Sequence, residues 1–109
     1  MKETSVNDAY IISSLRDAAL VLQKMMQDLS PNRYYTISEL ADLFPQFTQN
    51  KIYRIIKTFE SIGWVEADAQ GKGYKIGHEL LYLSDRYFRK LHEMHLWIKQ
   101  EINSFNVGL

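Results

Sequence analysis

Tyr35 to Gly77, YTISELADLFPQFTQNKIYRIIKTFESIGWVEADAQGKGYKIG, is the stretch that decides the fold. It reads as a short helix, a turn, a longer helix, and two strands around a glycine tip. From Thr48 to Ile62 the apolar residues Ile52, Ile55, Ile56, Phe59 and Ile62 recur at helical spacing and fall in one stripe. Asn50, Arg54, Lys57 and Ser61 lie on the opposite pole, flanked by Gln49, Lys51 and Tyr53, with no acid before Glu60. One face suits a core, and the other offers the donors that a helix in a DNA major groove needs. An ordinary amphipathic helix with a solvated face carries the same stripe, so the neighbouring segments must separate the two.

They do so by their order. Ahead of this helix, Ser38 or Thr36 is placed to cap a short helix running through Phe44, with Glu39 and Asp42 near its positive end. Ile37, Leu40, Ala41 and Phe44 give that helix a buried face; Pro45 breaks it, Phe47 plugs the turn, and Thr48 caps the next helix. Two helices joined by so short a break, the second longer and polar-faced, form a helix-turn-helix pattern. Gly63 suits a left-handed C-cap, and Trp64 to Asp68 alternates as a half-buried strand. Gln70-Gly71-Lys72-Gly73 then forms a turn with two residues free to take positive φ, and Tyr74-Lys75-Ile76 returns as the second strand. A hairpin directly after a helix-turn-helix is a wing, spanning residues 69–74 at its tip.

Outside this unit, residues 1–9 are polar and aperiodic and read as a frayed tail. Ile11, Leu15, Ala18, Ala19, Leu22, Met25, Met26 and Leu29 make a helical stripe, with Ser14 and Asp17 at capping distance and Ser30-Pro31-Asn32 as the stop. Arg33 to Ile37 favours a short extended segment.

From Glu79 to about Phe105 runs one long helical pattern without Pro or Gly. Ser84, Leu91, Ile98 and Phe105 repeat at seven residues, as do Leu81, Phe88, His95 and Ile102 three residues out of phase, so the two series form a heptad seam. A helix of ~40 Å is longer than a small core covers. Leu91, Trp97, Ile98, Ile102 and Phe105 are therefore expected to meet a second copy of the chain.

The 109 residues leave room for one domain with a modest core, and the 46% hydrophobic and 24% charged composition is that of a globular protein. No signal peptide and no membrane span are expected, and a cytoplasmic setting is compatible with that. Absence of Cys excludes disulfides, Fe–S clusters and thiol catalysis. Net charge is zero, which speaks against a non-specific polyanion binder. Yet residues 1–47 carry four basic and six acidic side chains, while residues 48–77 carry five basic and three acidic. The positive excess sits on the polar-faced helix and the hairpin.

Taken together, these segments resemble the DNA-binding domain of the IclR family of bacterial transcription regulators, from about Ser14 to Arg86. Ile37-Ser38-Glu39-Leu40-Ala41 is similar to that family's first motif helix, and Ile52 to Glu60 with Gly63-Trp64-Val65 to its recognition helix and exit. Tyr74 to Leu83 resembles the end of its wing and its linker helix. Where the family usually has small hydroxyl residues at the start of the recognition helix, this chain has Gln49-Asn50-Lys51, so the target sequence does not carry over. The chain stops soon after the linker helix, and no small-molecule ligand is expected.

Enzymatic chemistry has no foothold: no glycine-rich phosphate loop follows a strand, and no nucleophile–base order appears. His92 and His95 stand three apart, without a third ligand nearby, so neither metal nor cofactor is expected.

The expectation is thus a mostly α protein with a small β-hairpin. It is a winged helix-turn-helix over residues 10–77, with a long C-terminal dimerisation helix over residues 78–109. Double-stranded DNA is the expected partner. Gln49, Asn50, Tyr53 and Arg54 would reach base edges from a recognition helix at about 48–62, and Lys51, Lys57 and Lys72 would contact phosphate. A winged helix used for protein contact, or one serving replication or recombination, would carry the same pattern.

Overall fold

Four helices and a two-stranded antiparallel hairpin follow one another in a computed structural model that describes residues 7–27 and 33–105, with side chains as far as Asn103. In order these are α1 (Ser13–Gln27), α2 (Ile37–Leu43), α3 (Gln49–Ser61), β1 (Val65–Ala67), β2 (Tyr74–Ile76) and α4 (His78–Phe105).

The N-terminal segment departs from a plain tail. Asn7 accepts the Ala9 N–H at 2.9 Å and caps a single 3₁₀ turn, Asp8–Tyr10, ahead of α1. Residues 1–6 of the expected tail, and Leu29 to Asn32 at the expected end of α1, lie outside the described residues. α1 begins at Ser13, so Ser14 stands inside the helix rather than at its cap. Its buried stripe is also rotated from expectation: Val21 and Met25 are buried, with Ala18 and Leu22 beside them, whereas Leu15 is 64% exposed and Met26 points outward. Val21 takes the central place because residues 18, 21, 22 and 25 share a tighter arc than the wider apolar set.

α2 starts with a complete capping box. The Thr36 hydroxyl accepts the Glu39 N–H at 3.0 Å, and the Glu39 carboxylate accepts the Thr36 N–H at 2.8 Å, which settles Thr36 over Ser38 as the cap. Thr48 does the same work for α3, accepting the Lys51 N–H at 3.0 Å. α3 buries Ile52, Ile55, Ile56 and Phe59 against Leu40, Phe44, Val21, Met25, Val65 and Tyr74. Ile62, expected in that stripe, is instead the C-cap and 52% exposed, because the helix stops one residue short of it.

The stop is a Schellman turn. Gly63 takes φ +79°, its N–H reaches the Glu60 carbonyl at 3.1 Å, and the Trp64 N–H reaches the Phe59 carbonyl at 3.0 Å. The Trp64 ring stacks on Phe59, centroids 6.0 Å apart, which is the apolar contact such a turn favours. From Trp64 the chain enters the hairpin, in which Val65 pairs with Ile76, Glu66 with Lys75 and Ala67 with Tyr74. Tyr35 adds a one-residue third rung, exchanging both backbone hydrogen bonds with Tyr74 at 2.7 and 2.8 Å.

α4 leaves the domain at Gly77. The Gly77 N–H donates to the Trp64 carbonyl at 2.7 Å, and a Cβ at position 77 would collide with the Gly63 carbonyl. The first N–H of α4, that of His78, goes to the Glu66 carboxylate at 2.8 Å, and the His78 Nδ1 lies against the same carboxylate. Glu66 thus supplies the cap. Beyond Leu80 and Ser84, which are half-buried, every described side chain of α4 is exposed. The Cα radius of gyration is 18.6 Å, against roughly 13 Å for a compact chain of this length, because α4 projects from the winged unit.

Candidate nucleic-acid interface

The outward face of α3 carries Gln49, Asn50, Tyr53, Arg54, Lys57, Thr58 and Ser61, all exposed. Two of its hydroxyls are turned back: Thr58 donates to the Arg54 carbonyl at 2.7 Å and Ser61 to the Thr58 carbonyl at 2.5 Å. Ser61, placed on the polar pole by its position, therefore presents no free donor.

Three cations expected on this helix occupy different states. Lys51 reaches across to α1, where its ammonium sits 2.5 Å from the Asp17 carboxylate and 4.6 Å from the centre of the Phe47 ring. It ties α3 to α1, and a phosphate would have to compete with Asp17 for it. Lys57 is paired with Glu60 at 2.5 Å, and that hydrogen bond raises its pKa above the ordinary lysine value. Arg54 makes no ion pair among the described residues. Its guanidinium stands in the middle of the exposed face, with Asn50 one turn before it. Together with Ser14, Leu15 and Thr58, these two line an open groove of about 530 Å³ between α1 and α3.

The wing is organised by a residue that periodicity alone did not single out. The Asp68 carboxylate accepts the N–H groups of Lys72 at 2.9 Å, Gln70 at 3.1 Å and Gly73 at 3.1 Å. These bonds, the one from Lys72 foremost, hold its pKa below the ordinary aspartate value. An Asp two residues before a Gly-rich turn is the signal that would have found it. Gly71 takes φ +72°, as the turn requires, whereas Gly73 keeps an ordinary φ and is needed for room, since a Cβ there would press on Tyr34 at 2.9 Å. Lys72 projects from the tip without an ion-pair partner among the described residues. Lys75 lies over the Tyr34 ring at 5.2 Å, and Arg33 over the Tyr35 ring at 4.3 Å. Neither was among the expected contacts; Arg33 is paired with Glu39 at 3.6 Å, whereas Lys75 adds positive charge beside the wing.

On α4, Leu91, Ile98 and Ile102 line one exposed stripe. Trp97, expected with them, is turned about 100° from Ile98 by helical geometry and lies outside the seam. The Phe105 side chain lies outside the description. Among the described residues no three His, Asp or Glu side chains gather as a metal site, and no helix is long and apolar enough to cross a membrane.

A helix-turn-helix of α2 and α3, a core helix behind it and a hairpin after it define a winged helix-turn-helix protein. No family model matches the chain, and no curated protein matches it by sequence. Solved structures do. An IclR transcriptional regulator from Alicyclobacillus acidocaldarius is 28% identical with a TM-score of 0.61, the match covering 72% of this chain and 30% of that one. HmgR of Pseudomonas aeruginosa is 24% identical with a TM-score of 0.55, over 66% of this chain and 29% of its own. The resemblance read from the motifs is thus borne out at the level of fold: the chain has the winged helix-turn-helix of IclR-type transcription regulators. It spans about three-tenths of the length of the two regulators it matches.

Proposed function

We propose that this chain is a DNA-binding transcription regulator that acts as a homodimer in the cytoplasm. In this reading α3 enters the major groove, with Gln49, Asn50, Tyr53 and Arg54 toward base edges. Lys72 on the wing and Lys57 on the rim of α3 meet the sugar–phosphate backbone. The observation that carries it is the contrast among the cations. Lys51 is tied to Asp17, while Arg54 makes no ion pair among the described residues, on a helix whose one acid, Glu60, sits in its last turn beside Lys57. An uncompensated guanidinium among amide side chains matches the donor pattern that reads guanine and adenine edges. The fold shared with two transcription regulators supports the same role. The exposed apolar stripe of α4, which no described residue of the chain covers, supports dimerisation, and a two-fold dimer matches a palindromic site.

The test is salt-dependent capture of genomic DNA fragments by the intact protein. A recovered sequence motif whose affinity falls with rising salt is the expected result. No retention even at low salt would overturn it in favour of a winged helix that binds protein, a role with which zero net charge also agrees.

A further inference from the structure

We infer that the two α4 helices of the dimer run antiparallel, with Ser84 of one copy facing Ile102 of the other. This rests on the dimer proposed above and adds the orientation and register of its partner. The winged unit holds only the start of α4, and the exposed seam runs onward through Leu81, Phe88, Leu91, His95, Ile98 and Ile102. Heptad geometry places two flanks beside that seam. One carries Asp85, His92 and Lys99; the other carries Leu80, Tyr87, Met94 and Glu101.

Side chains in the two possible orientations meet very differently. In a parallel pair each seam residue faces its own copy. Ser84 against Ser84 leaves a gap, Phe88 against Phe88 overfills the next layers, and two His95 rings share the axis. Good packing sets small side chains opposite large ones. An antiparallel pair sets the small Ser84 against the large Ile102 in one register, with Phe88 against Ile98 and Leu91 against His95, each contact occurring twice and none facing its own copy. That register also covers the seam for its whole length.

Flanking charges point the same way. Parallel helices bring unlike flanks together, so Asp85, His92 and Lys99 would meet the mostly apolar Leu80, Tyr87 and Met94. Antiparallel helices bring like flanks together. In the register just given, Asp85 of each copy meets Lys99 of the other, and Met94 meets Met94. Lys99 makes no ion pair among the described residues and is available. Asp85 bonds Arg89 through one oxygen at 3.0 Å, leaving the second for Lys99 of the other copy. Such flanking pairs are what fix orientation in helix pairs, more than they add strength.

Because the chain has no cysteine, single cysteines report the geometry directly. Both Ser84→Cys and Ile102→Cys change α4 outside the buried core of the winged unit. Mild oxidation of an equimolar mixture should give a disulfide joining position 84 to position 102, identified by peptide mass, and S84C alone should stay unlinked. Ready self-linking of S84C would show a parallel pair and overturn the inference. A dimer mass with neither linkage would place the contact on another face and overturn it too. Sedimentation of the unmodified protein separates this from the underlying dimer proposal: a monomer at micromolar concentration removes the dimer itself, whichever way the helices run. As a second measurement, Lys99→Asp should weaken the dimer roughly three- to tenfold, two pairs being reversed at once. Asp85→Lys in the same chain should restore it, and a failure to restore would break the assigned register.

Discussion

Phe59 is the residue whose loss most directly tests how α3 is seated. Its ring is 9% exposed, lies in the cluster with Leu40, Ile52 and Ile56, and stacks within 9° of parallel on Trp64. Phe59→Ala removes the ring and leaves a cavity, a change that costs about 3–5 kcal/mol in packed cores. The winged unit spans roughly 65 residues, for which a total stability of roughly 3–10 kcal/mol is ordinary. The variant should therefore lose a large share of the unit's stability, and all of it if the total lies at the lower end of that range. Phe59→Leu keeps most of the volume and should lose under about 1.5 kcal/mol of packing plus ~1 kcal/mol of ring stacking. Urea unfolding followed by far-UV circular dichroism, which does not depend on Trp64 as reporter, measures both through the shift in midpoint at constant slope. Ile62→Ala is the companion, because that side chain is exposed at the C-cap and should change stability by no more than about 0.5 kcal/mol. Equal losses at Phe59 and Ile62, or a loss at Phe59→Ala below about 1 kcal/mol, would mean that α3 is rotated from the seating described.

Other expectations are narrower. Arg54→Ala should cost ~1–3 kcal/mol on the preferred DNA site and relax specificity at one position; an equal loss on every sequence would assign Arg54 to phosphate instead. Lys72→Ala should weaken binding to all sequences alike and lower the salt slope by ~1, and an unchanged slope would take the wing off the DNA. The carboxylates of Glu39, Glu66 and Asp68 all have pKa values lowered by backbone N–H bonds, so they favour the folded state above their ordinary values of 4.5, 4.5 and 3.8. Stability should be level above about pH 5 and decline as pH falls from there through the lowered values, and the triple change Glu39→Gln, Glu66→Gln, Asp68→Asn should flatten that decline. An acid limb identical in the triple variant would place the titration elsewhere.

What the sequence disclosed was local and periodic. Thr48 and Gly63 bracket α3 because a cap hydroxyl and a left-handed glycine act within one turn of their own position. The order helix, turn, helix, hairpin needed no long-range contact to be read. What stayed hidden depends on pairs distant in the chain. Lys51 looks like a free cation until Asp17, thirty-four residues earlier, closes on it. Glu66 looks like a solvent-facing strand residue until His78 arrives to be capped. Val21, rather than Ala19 or Met26, faces inward, and a wide apolar stripe does not say which of its arcs does so until α3 is in place. The outer face of α3 was readable as a surface, but the state of each cation on it was not.

The joint at Gly77 bears on mechanics. One residue separates the end of β2 from the start of α4, and it is pinned on both sides. Its own N–H is held by Trp64, its Cα face is closed by Gly63, and the next N–H is held by Glu66. No slack remains for a hinge, so α4 is a stiff lever, and a torque on it turns the hairpin and α3 as one body. In a two-headed binder the compliance must then come from bending of α4 or from the DNA. Each base pair added between half-sites moves them about 3.4 Å apart and turns them about 35°. Heads on rigid levers cannot follow that turn, so affinity should fall sharply with spacer length and return only as the two half-sites come back to the same face of the duplex.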